Sequence, residues 1–217
     1  MNIGILIQRY FRNLESVSRL EVFDTENIYA VYKDIIHSLV CHIDVDVSVL
    51  QPLSYCFYEI LDNVITHSGK SCGTAVMSYD EENHKIKILV ADDGIGIRET
   101  LSQNSEYANV TEAEAIRLCI NDKVSDGKGM GFGLYSTSRL IKNAGVNMII
   151  CSGSKEMNFD GKEFLIKEVP FWQGTVVYFE LESNKQIDPN EVVESRTDCE
   201  SQFNDTFLGN EELDNLW

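Results

Sequence analysis

The sequence predicts an α+β protein arranged as a two-layer α/β sandwich, and three observations carry that prediction. Helical periodicity fills much of residues 26–67, a strand–turn–strand pattern follows over 73–97, and helix gives way again to strands before residue 181. Helices first, then a hairpin, then helix and further strands is the order of a helical layer packed on a sheet. Repeated βαβ units would alternate more strictly.

The first helix is read over Glu26–Ile43, where Ile28, Val31, Ile35, Leu39 and Ile43 recur at steps of three and four. A second is read from Pro52 to His67, with the proline in its first turn, where a missing N–H costs nothing. GTAVMSY and HKIKILVAD then flank the polar DEEN, a hairpin signal. Helical spacing returns at Glu112–Ile120 and Gly133–Asn143. Strand-like runs follow at Val146–Cys151, Glu163–Val169 and Thr175–Leu181.

Composition bounds the class. The chain has 217 residues, 43% of them hydrophobic, and a formal net charge of −17. That is enough apolar material for a packed core, in one domain with a tail. No stretch reaches the roughly 18 apolar residues of a membrane span, and the opening run is too short for a secretory signal. The acidity disfavours nucleic acid, whose phosphates need clusters of Lys and Arg. Six scattered cysteines without a C-x-x-C pair read as reduced thiols in a cytoplasm. Residues 1–181 carry 25 acids and 16 bases, whereas 182–217 carry ten acids and two bases. The chain therefore divides into a folded domain, 1–181, and an acidic C-terminal tail, 182–217. The tail ends FLGNEELDNLW, either a mobile terminus or a docking peptide.

Three motifs carry chemistry. On the second helix Glu59, Asn63 and His67 stand at i, i+4 and i+8, one stripe beside the apolar Leu53, Phe57, Ile60, Leu61 and Val64. Such a stripe is either an exposed polar face or a place to activate water beside a hard cation. Mg²⁺ suits the second reading, because it prefers oxygen ligands and keeps much of its water. Next, the apolar strand 88–91 ends in Asp92-Asp93-Gly94-Ile95-Gly96. This is an ordinary turn, or a carboxylate placed to accept a hydrogen bond from an exocyclic amine such as adenine N6. Two glycines let the backbone approach a flat ligand there. Third, Gly127, Gly129, Gly131 and Gly133 alternate directly before a helix. They form a flexible linker or a phosphate cradle at a helix N-terminus. Neither the Walker spacing nor G-x-G-x-x-G fits. Gly174-Thr175 opens the last strand, where a hydroxyl can support the Asp92 site.

In this order and spacing the motifs resemble the GHKL superfamily, which includes gyrase B subunits, large heat-shock chaperones, histidine kinases, mismatch-repair ATPases and anti-sigma serine kinases. Glu59-x-x-x-Asn63 matches its first box and Asp92-x-Gly94-x-Gly96 its second. Gly129-x-Gly131-x-Gly133-Leu134 matches the third, and Gly174-Thr175 the closing pair. The resemblance implies a Bergerat fold: helices on one face of a mixed, mainly antiparallel sheet, with ATP between the layers under a lid at about 121–132. It implies that Asp92 reads adenine, with Gly94, Gly96 and Thr175 beside it, and that Asn63 holds Mg²⁺. Lys128, Gly129, Gly131, Gly133 and Leu134 belong to the phosphate loop, and Glu59 is the general base. His67 has a counterpart in anti-sigma kinases and is read as structural. His37 lies where a histidine kinase keeps its phosphoacceptor but lacks the H-E-x-[RK]-x-P context, so it is assigned to packing or surface.

Three functions compete on this basis. One is an ATP-binding regulatory protein whose Mg-dependent turnover is slow or needs a protein partner. Another is an anti-sigma-type Ser/Thr kinase acting on a small partner. The last is a nucleotide-sensing module without catalysis. Glu59 argues against histidine-kinase chemistry, since those enzymes mostly carry Asn there. A second domain supplying a catalytic lysine, as in gyrase-like members, is not expected here, which favours the first reading. Small relatives often dimerise, and a homodimer stays open as an assembly, although −17 per chain opposes it unless the interface is apolar.

Overall fold

The computed structural model describes residues 3–11, 17–42, 45–126 and 133–192. Its elements, in order, are α1 (Ile3–Phe11), β1 (Arg19–Asp24), α2 (Ile28–His42), α3 (Val47–His67), β2 (Cys72–Asp80), β3 (Lys85–Ala91) and α4 (Gly96–Leu101). These are followed by α5 (Glu112–Leu118), α6 (Gly133–Ala144), β4 (Met148–Phe159), β5 (Phe164–Glu182) and α7 (Pro189–Val192). The fold is α+β, as the sequence predicts. Five strands form one sheet in the order β1-β2-β3-β5-β4, and every pairing among them is antiparallel.

The period of two along each strand divides the core into two layers. Ile86, Ile88 and Val90 of β3 face the helices, where they join Phe57, Ile60 and Leu61 of α3 and Leu140 and Ile141 of α6. Leu89 and Ala91 point the other way, with Val76, Val176 and Tyr178, and meet α1. This helix on the second face lies outside the sequence reading, as does β1. In α1 the residues Leu6, Ile7, Tyr10 and Phe11 form an apolar face only nine residues long. Tyr10 stacks on Tyr178 with centroids 4.6 Å apart, and Phe11 meets the same ring edge-on at 6.0 Å. At the rim Arg9 pairs with Glu156, a buried carboxylate that Lys167 also reaches at 2.6 Å.

Three boundaries differ from the sequence reading. Asp46 caps α3 by accepting the Ser48 N–H at 2.8 Å, so the helix starts a turn earlier and Pro52 lies inside it. The runs 163–169 and 175–181 are one strand, β5, paired along almost its whole length with β4; register shifts at Ser152–Lys155 absorb the change. The packed layer also continues past residue 181. Ile187 and Val192 are buried against the helical core. Residues 193–217, with FLGNEELDNLW, lie outside the described residues.

Phe11 is 1% exposed and contacts a sheet face that has no other described helix on it. Phe11→Ala should cost about 3 kcal/mol, read as a lowered urea midpoint.

Candidate functional site

The site is assembled where the C-terminal end of α3 meets the turn after β3. Ser68 ends α3, its N–H donating back to the Val64 carbonyl. Its own carbonyl accepts the Ile95 N–H at 2.7 Å. Gly94 lies flush on that carbonyl: a Cβ on Gly94 would stand 2.1 Å from Ser68 O. The Asp92–Gly96 turn is thereby fixed to the helix that carries Glu59 and Asn63.

Asp92 is buried at 3% exposure. Its Oδ1 accepts the Gly94 N–H at 2.7 Å and its Oδ2 the Thr175 N–H at 3.2 Å, while its own N–H donates to Thr175 O at 2.9 Å. Burial pushes the carboxyl up to about 6 against the pull of those two hydrogen bonds, and the neighbouring Asp93 adds to the rise. Each carboxylate oxygen keeps a further lone-pair position, which an amine can fill. Gly174, at φ +95, packs so closely that an added Cβ would stand 2.4 Å from Asp92 O and 2.6 Å from Gly94 N. Gly96, at φ +80, packs against Ser152, whose hydroxyl accepts from Ile97 N and donates to Gly174 O, both at 2.9 Å. Trp172 Nε1 donates to Asp92 O at 3.2 Å, and Gln173 donates to Gly94 O. Sequence reasoning missed Ser68, Ser152, Trp172 and Gln173. Ser68 acts through its backbone carbonyl and the other three through side-chain bonds to backbone groups, and none carries a spacing signal.

Glu59 and Asn63 share the face of α3 that receives the start of α6. A Cβ on Gly133 would lie 2.5 Å from Asn63 Nδ2 and 3.4 Å from the Glu59 Cβ. Asn63 so turns its amide nitrogen to Gly133, leaving the carbonyl oxygen as the group suited to a hard cation. Burial, with a smaller push from Asp62, raises Glu59 to about 7. Leu134 is partly buried against the helical core. The structure thus brings Glu59, Asn63, Gly133 and Leu134 to one place, and Asp92, Gly94, Gly96 and Thr175 to another, joined through Ser68. Lys128, Gly129 and Gly131 lie outside the described residues. Of the remaining histidines, His67 bonds Asp126, and His37 is exposed on α2 with Cys41 beside it at 3.4 Å. An open cavity behind the turn is lined by Ile95, Arg98, Glu112, Ile116, Phe171 and Trp172. Gly96, Ser152, Gln173 and Gly174 line it too, so it borders the Asp92 turn, whereas Glu59 and Asn63 do not reach it.

Helices over an antiparallel sheet, with a glutamate-asparagine helix set against an Asp-x-Gly-x-Gly turn, define an ATPase domain of the GHKL class. The chain belongs to the histidine kinase-, DNA gyrase B-, and HSP90-like ATPase family, whose pattern it matches over residues 49–185. It is a GHKL-type ATP-binding protein. No individual curated protein matches it. Among the described residues, no helix is long and apolar enough to cross a membrane.

Two predictions follow from the packing and the charges. Gly174→Ala should lose about 1–3 kcal/mol in denaturant titration, because its φ is strained for alanine and the obstructing atoms are backbone. The second concerns pH. Glu59 and Asp92 both titrate higher in the folded chain than their ordinary 4.5 and 3.8. The native state therefore holds more protons than the unfolded one between those values and about 7, and stability falls as pH rises through that window. The urea midpoint of the nucleotide-free protein should be higher near about pH 5 than near about pH 7.5. Glu59→Gln should shrink that difference.

Proposed function

We propose that this chain is an ATP-binding regulatory protein with Mg-dependent phosphoryl transfer that is slow or depends on a protein partner. The single observation that carries the reading is Glu59. It stands one turn from Asn63, both against the first residue of α6, and its carboxyl is raised to about 7. A base is most effective when its pKa lies near the working pH. Glu59 takes the proton from the attacking water, or from a partner's hydroxyl, as that oxygen bonds to the γ-phosphorus of ATP and the bond from this phosphorus to the bridging oxygen breaks, ADP leaving with the bridging oxygen. Asp92 accepts from the adenine amine, and Thr175, Gly94 and Gly96 shape that end. Asn63 would hold Mg²⁺ through its carbonyl oxygen, and the metal would supply charge neutralisation for the phosphates. Lys128, Gly129 and Gly131 complete the phosphate end with Gly133 and Leu134.

A cytoplasmic setting is supported by Cys41, Cys56, Cys72, Cys119 and Cys151, all free thiols. Net acidity supports a protein partner over nucleic acid. Transfer to a partner's Ser or Thr uses the same base, so the kinase reading differs only in the acceptor. Radiolabelled ATP incubated with co-purifying proteins separates the two.

Mg-ATP at a hundredfold excess over Kd should stabilise the protein by about 2.7 kcal/mol, raising Tm by a few degrees. Asp92→Asn should remove most of that shift. Glu59→Ala should keep the shift while losing at least about tenfold in phosphoryl transfer, whereas Asn63→Ala should weaken the Mg-dependent part of binding. Equal turnover in wild type and Glu59→Ala would remove the base assignment.

A further inference from the structure

The ladder between β3 and β5 ends at the candidate site. Its last paired residues are Ala91 and Val176, and the Asp92 N–H adds one further bond to the Thr175 carbonyl. Beyond that rung β5 is irregular, its register on β4 passing from Thr175 opposite Ser152 to Trp172 opposite Gly153. The Asp92–Gly96 turn therefore leaves the sheet where β5 no longer meets it in ladder register. Two side chains of β5 supply donors there instead. Trp172 Nε1 donates to the Asp92 carbonyl at 3.2 Å, and Gln173 Nε2 donates to the Gly94 carbonyl.

These two bonds bracket one peptide group. The peptide between Asp93 and Gly94 carries the N–H that Asp92 Oδ1 accepts at 2.7 Å. Trp172 holds the peptide before it, through the Asp92 carbonyl, and Gln173 the peptide after it, through the Gly94 carbonyl. The latter is pinned at both ends, because its N–H, that of Ile95, donates to Ser68 O at 2.7 Å. Peptide groups are planar, so fixing both neighbours leaves the middle one little freedom to turn. The direction of the Asp92 carboxylate, and of the lone pairs left on it, follows from that N–H and from the Thr175 N–H on the other oxygen. Trp172 is half-buried and Gln173 exposed, and both line the cavity that Glu59 and Asn63 do not reach. Their bonds end on the turn, not on α3 or α6, so they bear on the base and not on the phosphates.

We propose that Trp172 and Gln173 are positioning residues that set selectivity for a base carrying an exocyclic amine. They act by aiming Asp92. The inference rests on the nucleotide reading above, in which Asp92 accepts from the adenine amine. It deepens that reading by assigning the precision of the contact to two side chains outside the sequence motifs. A base without the amine leaves a buried, aimed carboxylate short of a donor, an arrangement that discriminates strongly. Once the turn is free to tilt, the carboxylate bonds water instead, and the penalty for the wrong base falls.

The test compares Mg-ATP with the Mg complex of purine riboside triphosphate, which differs only by the missing 6-amino group, in calorimetric titrations. In wild type the Kd of the analogue should exceed that of ATP at least about tenfold, or about 1.4 kcal/mol. Trp172→Phe keeps a ring and removes the indole N–H, and Gln173→Met keeps the length and removes the amide. Each should narrow the ratio, and the double variant should bring it below about threefold through weaker ATP binding. Affinity for the analogue should change less than about twofold. Gln173 is exposed, so Gln173→Met carries the test if the Trp172 variants do not fold. A folded variant that weakens both nucleotides equally, as a merely structural role would, overturns the inference. A wild type that binds neither nucleotide, or binds both alike, removes the amine contact at Asp92 and this inference with it. A wild type preferring ATP, with variants that keep the full preference, removes only the role of Trp172 and Gln173.

Discussion

The Ser68 carbonyl, with Gly94 pressed against it and the Ile95 N–H bonded to it, is the contact on which the rest of the site depends. It joins an element of the helical layer to the end of a central strand without any side-chain interaction. A hydrogen bond of this kind contributes only about 1 kcal/mol net, yet it fixes geometry because no Cβ fits between the two backbones. Asp92 is held from the sheet side by Thr175 and from the turn side by Gly94. Glu59 and Asn63 are held by the core face of α3. The relative placement of these two groups is decided at Ser68.

The electrostatics follow from the same packing. A chain this acidic keeps most carboxylates in solvent, where partners matter little. Among the described residues, Asp92, Asp126 and Glu156 are buried, and Glu59 is half-buried. Asp126 and Glu156 have cationic or titratable partners, His67 for one and Arg9 with Lys167 for the other. Glu59 and Asp92 have no such partner among the described residues, and their carboxyls are the two displaced upwards by burial. Structural carboxylates are neutralised within the fold, whereas the two in the candidate site retain unsatisfied capacity for something that binds.

Much of this was legible in the sequence because side-chain chemistry and spacing carried it. The stripe 59–63–67, the Asp-x-Gly-x-Gly turn and Gly174-Thr175 each rest on residue types with a narrow range of uses. What was not legible has a physical reason in each case. α1 has only one apolar face of nine residues, and its partner surface is drawn from β2, β3, β4 and β5, so nothing local marks it. β1 alternates weakly, with Val22 61% exposed at an edge of the sheet. The continuity of β5 was hidden by Pro170 and Gly174, which read as breaks but are absorbed by register shifts opposite them. The start of α3 was misplaced because proline usually marks a first turn, while the cap is Asp46. Ile187 and Val192 were masked by the charge around them.

The helix on the second face has a consequence for the order of folding. Residues 3–11 leave the ribosome well before Cys151, Val176 and Tyr178, which belong to the surface that receives them. During synthesis the apolar face of α1 must wait while more than 160 residues are added. The closing contact is therefore among the least local in the chain, and such contacts slow folding because their loop entropy is lost before they reward it. α1 is made before the surface it docks on, so it can seal that face of the sheet only once β5 has been made.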